Sequence, residues 1–301
     1  MNALVTRPQF GIALIILSTL VFALQDGVSR YLGSHYSIIT IVAIRFWVFA
    51  AVAIGLSMAS EGGIRRVARS TVPWMQVARV GLLIVQIWLT IAGFVSLGLI
   101  PAHAIFAINP LLVAALAWPI LGEAVDWRRG AAIFAGMMGM LVILRPGFQV
   151  FDPAAIFPLA GALLFALYSL LTRRVARHDD AATTFFYTGV GGAILSTVAL
   201  PFFWTPIIGI VDYLLIAALC ALAILGHFLH IRAYAMAEAS VLQPFSYFQL
   251  IFIVALGLML FGESLDGWTI AGAGLIVLAG LYTLRNPAAM SRRSEDAAGG
   301  R

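Results

Sequence analysis

The chain has 301 residues, 62% of them hydrophobic and 10% charged, with a mean hydropathy of +1.02. A soluble domain is about 45–50% apolar and about 25% charged, so this chain cannot cover its core with polar residues and needs a bilayer around it. Its net charge of +5 comes from 18 basic residues, all arginine, set in ones to threes between apolar runs, which is a membrane pattern and not a nucleic-acid one.

A spanning helix needs about 20 apolar residues. Ten such spans are predicted, at 10–31, 37–58, 74–97, 101–121, 130–144, 154–172, 183–203, 211–231, 241–261 and 269–284. The first is too long for a signal core and has no small-x-small site before Asp26, so it reads as an uncleaved helix. Orientation follows from arginine. With the N-terminus in the cytoplasm, the inner segments hold fourteen arginines, including Arg65, Arg66 and Arg69, Arg128 and Arg129, and Arg173, Arg174 and Arg177. The outer segments hold two, Arg30 and Arg145. Both termini, and a polar tail at 287–301, are therefore expected in the cytoplasm. Cys220 is the single cysteine, so no intrachain disulfide forms.

The chain repeats itself. Leu121-Gly122-Glu123-Ala124-Val125-Asp126-Trp127 recurs as Phe261-Gly262-Glu263-Ser264-Leu265-Asp266-Gly267-Trp268. Phe22-Ala23-Leu24 recurs as Phe165-Ala166-Leu167, with Arg30 and Arg173 following. Two halves result, 10–145 and 154–286. Each holds five spans, an odd number, so the second half enters the membrane upside down, as in many transporters. In each half Gly then Asp around the motif suits a helix end followed by an N-cap, a structural role for Glu123, Asp126, Glu263 and Asp266.

Ten spans, a five-plus-five repeat and the duplicated Gly-Glu-x-x-Asp turn resemble the drug/metabolite transporter superfamily, and its EamA-type exporters most. The resemblance covers about residues 10–286. It implies an all-α membrane protein in which two inverted repeats form a basket around a central cavity. The first, third, fourth, sixth, eighth and ninth helices line that cavity, and the fifth and tenth lie outside. It further implies export of amino acids, nucleobase-like metabolites or drugs.

Polar groups inside spans usually face the protein interior or a watery cavity. In span one Ser18, Phe22, Gln25 and Ser29 share a helical face. Asp26, an acid near the middle of a span, is a candidate for proton or cation coupling, or else pairs with Arg30 one turn on. Arg45 lies deep in span two, with Asp26 one possible partner. In span three Arg79, Gln86, Thr90 and Gly93 share a face beside Trp88. Arg79 is expected to snorkel to the headgroups. Span four offers His103, Phe106 and Pro110; span six offers Tyr168; span eight offers His227, His230 and Tyr234. Span nine offers Gln243, Pro244 and Tyr247. The amides suit either a cavity wall or bonds between helices, and the histidines and tyrosines either a cavity or packing. Pro110 and Pro244 free the carbonyls of Phe106 and Ser240. Interruptions in corresponding spans point to a binding site or hinge, or else to ordinary kinks. Glycines in spans five and ten favour close packing.

Without lysine there is no Walker motif, hence no standard ATP motor. No His-Glu-x-x-His, cysteine pair or Gly-x-Ser-x-Gly points to an enzyme. The expectation is a secondary transporter working by alternating access, driven by a solute, proton or ion gradient, without cofactor or metal. Its solute is expected to be a small amphipathic metabolite. An amino acid is favoured, aromatic above all, over nucleobase-like or cationic metabolites and drugs. Its other partner is lipid, its place a bacterial-type inner membrane, its state monomer or homodimer.

Overall fold

The computed structural model describes residues 8–60, 62–106, 108–123, 127–144, 153–261 and 267–284. Thirteen α-helices are described in chain order: α1 (Pro8–His35), α2 (Ile38–Ala59), α3 (Gly63–Val67), α4 (Pro73–Leu97), α5 (Leu99–Phe106), α6 (Asn109–Leu121) and α7 (Trp127–Leu144). Then come α8 (Ile156–Val175), α9 (Ala181–Ala199), α10 (Ile210–Met236), α11 (Ala239–Ser246), α12 (Phe248–Phe261) and α13 (Gly267–Leu284). Helices α1, α2, α4, α8, α9 and α10 are each long and apolar enough to cross a membrane alone. Helices α7 and α13, 18 residues each, cover predicted spans five and ten. The protein is a multi-pass membrane protein.

The breaks come where local chemistry permits them. Pro73 opens the first turn of α4, where its missing N–H has no partner to lose. The Asp180 side chain accepts from the Thr183 N–H at 2.7 Å and caps α9. Gly122 ends α6 at φ 69°, a left-handed angle that favours glycine. Predicted span four is not one helix but two, α5 and α6, with Pro110 in the first turn of α6. Span nine likewise divides into α11 and α12 at Tyr247, three residues after Pro244. The first pieces, α5 and α11, are each eight residues long.

Helix pairing follows a pseudo-twofold exchange of the two halves. Helix α1 packs on α10 as α8 packs on α4. Helix α4 meets α9 as α10 meets α2, and α6 meets α8 as α11 and α12 meet α1. Two further pairs, α2 with α9 and α7 with α13, map onto themselves. Small residues permit the closest crossings. A Cβ at Gly192 of α9 would overlap the Phe46 ring of α2.

Two carboxylates tie the halves together. Glu123, just past α6, takes Arg173 Nε at 3.0 Å and Arg177 Nη2 at 2.9 Å on one oxygen. Its other oxygen accepts from the Ala239 N–H at 3.2 Å, the first residue of α11. Glu123 therefore caps a helix of the other half, where the sequence suggested a local turn. Arg174 and Arg177 donate to the last carbonyls of α6, at Ile120 and Leu121. Asp126, Glu263 and Asp266 lie outside the described residues.

Asp179, between α8 and α9, accepts from the Ser70 hydroxyl, the Thr71 backbone and hydroxyl, and Gln76 Nε2 at the head of α4. Burial alone would raise its carboxyl; the hydrogen bonds from Ser70, Gln76 and Thr71 outweigh that and hold it below the ordinary range. A depressed carboxyl stabilises the fold above the unfolded value, about pH 4, and the contribution fades as pH falls through the folded value. Asp179→Asn should therefore lower the melting midpoint at pH 7, and the gap from wild type should shrink below about pH 4. Detergent melts across pH check this; a gap independent of pH would remove Asp179 as the tie.

Candidate functional site

The interior holds two chambers that share one waist. Phe22, His103, Phe106, Phe165 and Gln249 line both. Phe22 and Phe165 are the duplicated phenylalanines of the two halves, brought together from α1 and α8 at the centre. His103 lies on the Phe94 ring with centroids 4.9 Å apart. Phe165 sits 5.8 Å from Phe106 and 5.4 Å from His230.

The first chamber is aromatic and hydroxylated. Ser18, Thr19, Asn109, Pro110, His230, Tyr234, Ser246 and Tyr247 complete it. Among the described residues it contains no carboxylate and no guanidinium. Both helix breaks border it: Asn109 and Pro110 open α6, and Ser246 and Tyr247 separate α11 from α12. Asn109 donates to the Ala162 carbonyl of α8 at 2.8 Å, fixing the α5–α6 break against the other half.

The second chamber is charged. Gln25, Asp26, Ser29, Arg45, Gln86, Thr90 and His227 line it. Asp26 accepts from Gln249 Nε2 at 2.8 Å, and His103 Nε2 lies 3.3 Å from the same oxygen. That His103 nitrogen makes no well-formed hydrogen bond, so the two groups are neighbours rather than a bonded pair. Asp26 thus faces α5 and α12, not Arg30 on its own helix. Gln86 donates to Thr90 at 2.8 Å, and Gln25 Oε1 has no partner.

Of the predicted residues, Gln25, Asp26 and Gln86 lie in the charged chamber, and Pro110, Tyr234 and Tyr247 in the aromatic one. His227 and His230 divide between the two, while His103 and Phe106 stand at the waist. Four sit behind these walls. Tyr168 packs under Phe165 and His230, with centroids 5.7 and 5.6 Å away. Gln243 donates to the Tyr234 hydroxyl at 2.9 Å. Trp88 packs on the cluster around Val80 and Ile84, and Pro244 lies within α11.

The expected snorkelling of Arg79 is corrected. Arg79 is fully buried, and its Nη2 donates to Gln76 Oε1, the Thr184 carbonyl and Thr188 Oγ1 at 2.7–3.1 Å. Its guanidinium lies 5.4 Å from the Tyr168 ring centroid. Acceptors on α9 outcompete the headgroups. The sequence reading also missed Gln249, Asn109 and Phe165 as wall residues. For Phe165 the signal was present in the repeat, since its counterpart Phe22 was already on a polar stripe.

A Cβ at Gly226 of α10 would stand 2.6 Å from Phe22 Cε1. Overpacking of this kind strains a core by about 1–3 kcal/mol. Gly226→Ala should push the Phe22 ring into the waist and weaken solute binding, and adding Phe22→Leu should restore part of it. Thermal stabilisation of the purified variants by solute reads this out. Equal stabilisation in Gly226→Ala and wild type would show that the waist does not gate the solute.

The profile of the EamA-like transporter family matches residues 9–145 and again 152–285. The S-adenosylmethionine uptake transporter of Rickettsia bellii is 24% identical over 94% of this chain and 96% of its own. The riboflavin transporter of Vibrio cholerae is 28% identical over 97% of this chain and 98% of its own. A solved crystal structure superposes with a TM-score of 0.74 at 20% identity, over 91% of this chain and 96% of that one, a likeness of fold.

Proposed function

The chain belongs to the EamA-like transporter family, and on that premise we propose that it carries amino acids, aromatic ones favoured, across a bacterial inner membrane by alternating access. That it is a small-metabolite transporter and not an enzyme follows from the family. The choice of solute rests on one observation: the cavity joins an aromatic chamber to a charged one across a shared waist. A solute with a planar ring and a zwitterionic head fits both parts, and a multiply charged anion fits neither well. S-adenosylmethionine, named for the Rickettsia relative, joins an amino-acid head to an aromatic base, and riboflavin, named for the Vibrio relative, is a fused aromatic ring with a polar chain.

The two repeats rock about the waist and open the cavity to each side in turn. The broken helices α5–α6 and α11–α12 act as hinges at Pro110 and Pro244. The solute moves down its gradient, so a cell that makes it exports it. Asp26, flanked by Gln249 and His103, is the group that takes a coupled proton. Both termini are cytoplasmic in this reading. In support, two of the inner arginine segments meet, Arg66 lying 3.3 Å from Asp180 just past Arg177 while Asp179 bonds Thr71.

Liposomes containing the protein should accumulate aromatic amino acids from a mixed panel, faster with an imposed proton gradient. Gln86→Ala and His227→Ala should each cut the rate about tenfold, the size of a lost hydrogen bond to a charged group, with little change in folded yield. Asp26→Asn should slow uptake and remove its response to the imposed proton gradient. Transport of a sugar phosphate and no amino acid would sink the solute reading.

A further inference from the structure

Three arginines are buried among the described residues: Arg45, Arg79 and Arg173. Arg173 meets the Glu123 carboxylate, and Arg79, though its Nε and Nη1 are unpartnered, has three oxygen acceptors on Nη2. Arg45 has neither. It is 1% exposed, and its Nε and Nη2 have no hydrogen-bond partner. The Phe46 ring, 5.1 Å from the guanidinium, supplies only a cation–π contact. A guanidinium stripped of water without an anion is among the most costly groups a protein can bury, so the missing anion is expected from outside the chain.

The geometry identifies that anion. Nε–H and Nη2–H form one edge of the guanidinium, two parallel donors that match the two oxygens of a carboxylate. Arg45 lines the charged chamber, and so does Asp26, yet the two form no ion pair. Asp26 is held by Gln249 and faces His103 through Oδ2, which leaves Oδ1 open. The chamber therefore presents one fixed cation and one fixed anion that make no direct pair. A dianionic phosphate would meet repulsion from Asp26. A zwitterion gives each of the two charges a partner.

Resting on the reading above, we propose that Arg45 anchors the carboxylate of the transported solute while Asp26 receives its ammonium group. The charged chamber then selects the amino-acid head, and the aromatic chamber accommodates the side chain.

The test compares uptake of L-tryptophan and of tryptamine, which lacks the carboxylate, into liposomes holding wild type, Arg45→Gln or Arg45→Lys. Wild type should prefer tryptophan by about tenfold or more, and Arg45→Gln should remove that preference by lowering tryptophan uptake alone. Arg45→Lys keeps the charge but not the paired donors, and should fall between the two. Melting midpoints of the three proteins identify a variant that has failed to fold, and Arg45→Lys then carries the comparison. If both variants keep the wild-type preference, the anchor is overturned and the transport reading stands. If wild type moves tryptamine as well as tryptophan, the anchor is again overturned. If wild type moves riboflavin and neither indole compound, the solute reading falls and the anchor with it.

Discussion

Hydrocarbon offers no hydrogen bonds, and the rest of the structure follows from that constraint. A backbone inside it must satisfy its own N–H and C=O groups, so the segments that face lipid are unbroken helices. Helices α1, α2, α4, α8, α9 and α10 obey this over their whole length. Irregular backbone is tolerated only where protein or an aqueous cavity surrounds it. The α5–α6 and α11–α12 breaks meet that condition. Residues beside both breaks line the aromatic chamber, and Asn109 finds its acceptor on α8. The same constraint makes buried polar side chains informative, because each needs a partner or a watery neighbour.

Much of the architecture was legible because it rests on local properties. Span positions come from apolar run length, and the Ser18, Phe22, Gln25, Ser29 stripe comes from helical period. All four of those residues line the cavity. What could not be read was set by contacts between distant segments. Arg79 looked like a snorkelling arginine until Thr184 and Thr188, more than a hundred residues on, supplied acceptors. Span nine reads from the sequence as one continuous helix. The break at Tyr247 resets the register, so Gln249 reaches the waist while Gln243 turns to Tyr234. Glu123 sat in a turn motif whose local reading, a helix stop, holds for its neighbour Gly122. Its own role, joining Arg173, Arg177 and the head of α11, depends on how the halves meet.

The pseudo-twofold pairing gives the cavity its mechanism-bearing shape. Each half contributes one long helix with a waist phenylalanine, Phe22 from α1 and Phe165 from α8. Each also contributes one broken helix bordering the aromatic chamber. Two packings of nearly equivalent elements differ by little free energy, so a modest bias from bound solute can shift the balance. The ties at Glu123 and Asp179 join the halves through exchangeable hydrogen bonds and ion pairs. Such contacts can break on one side of a transporter while others form on the opposite side.

The charged chamber shows why specificity and transport are compatible in so apolar a chain. Arg45 and Asp26 share one space without pairing: the ring of Phe46, the next residue on α2, lies beside the guanidinium, and Gln249 of α12 donates to the carboxylate. Had they paired, each charge would be satisfied in the empty chamber, and a solute would have to break that pair to enter. Held apart, they leave the empty chamber strained and the loaded one satisfied. A solute lacking either charge leaves one of the two uncompensated, and that penalty discriminates more sharply than any extra apolar contact. The strain is bounded, however. The Phe46 ring and the Gln249 hydrogen bond lower the cost of the empty state, and a carrier requires a site that its solute can leave.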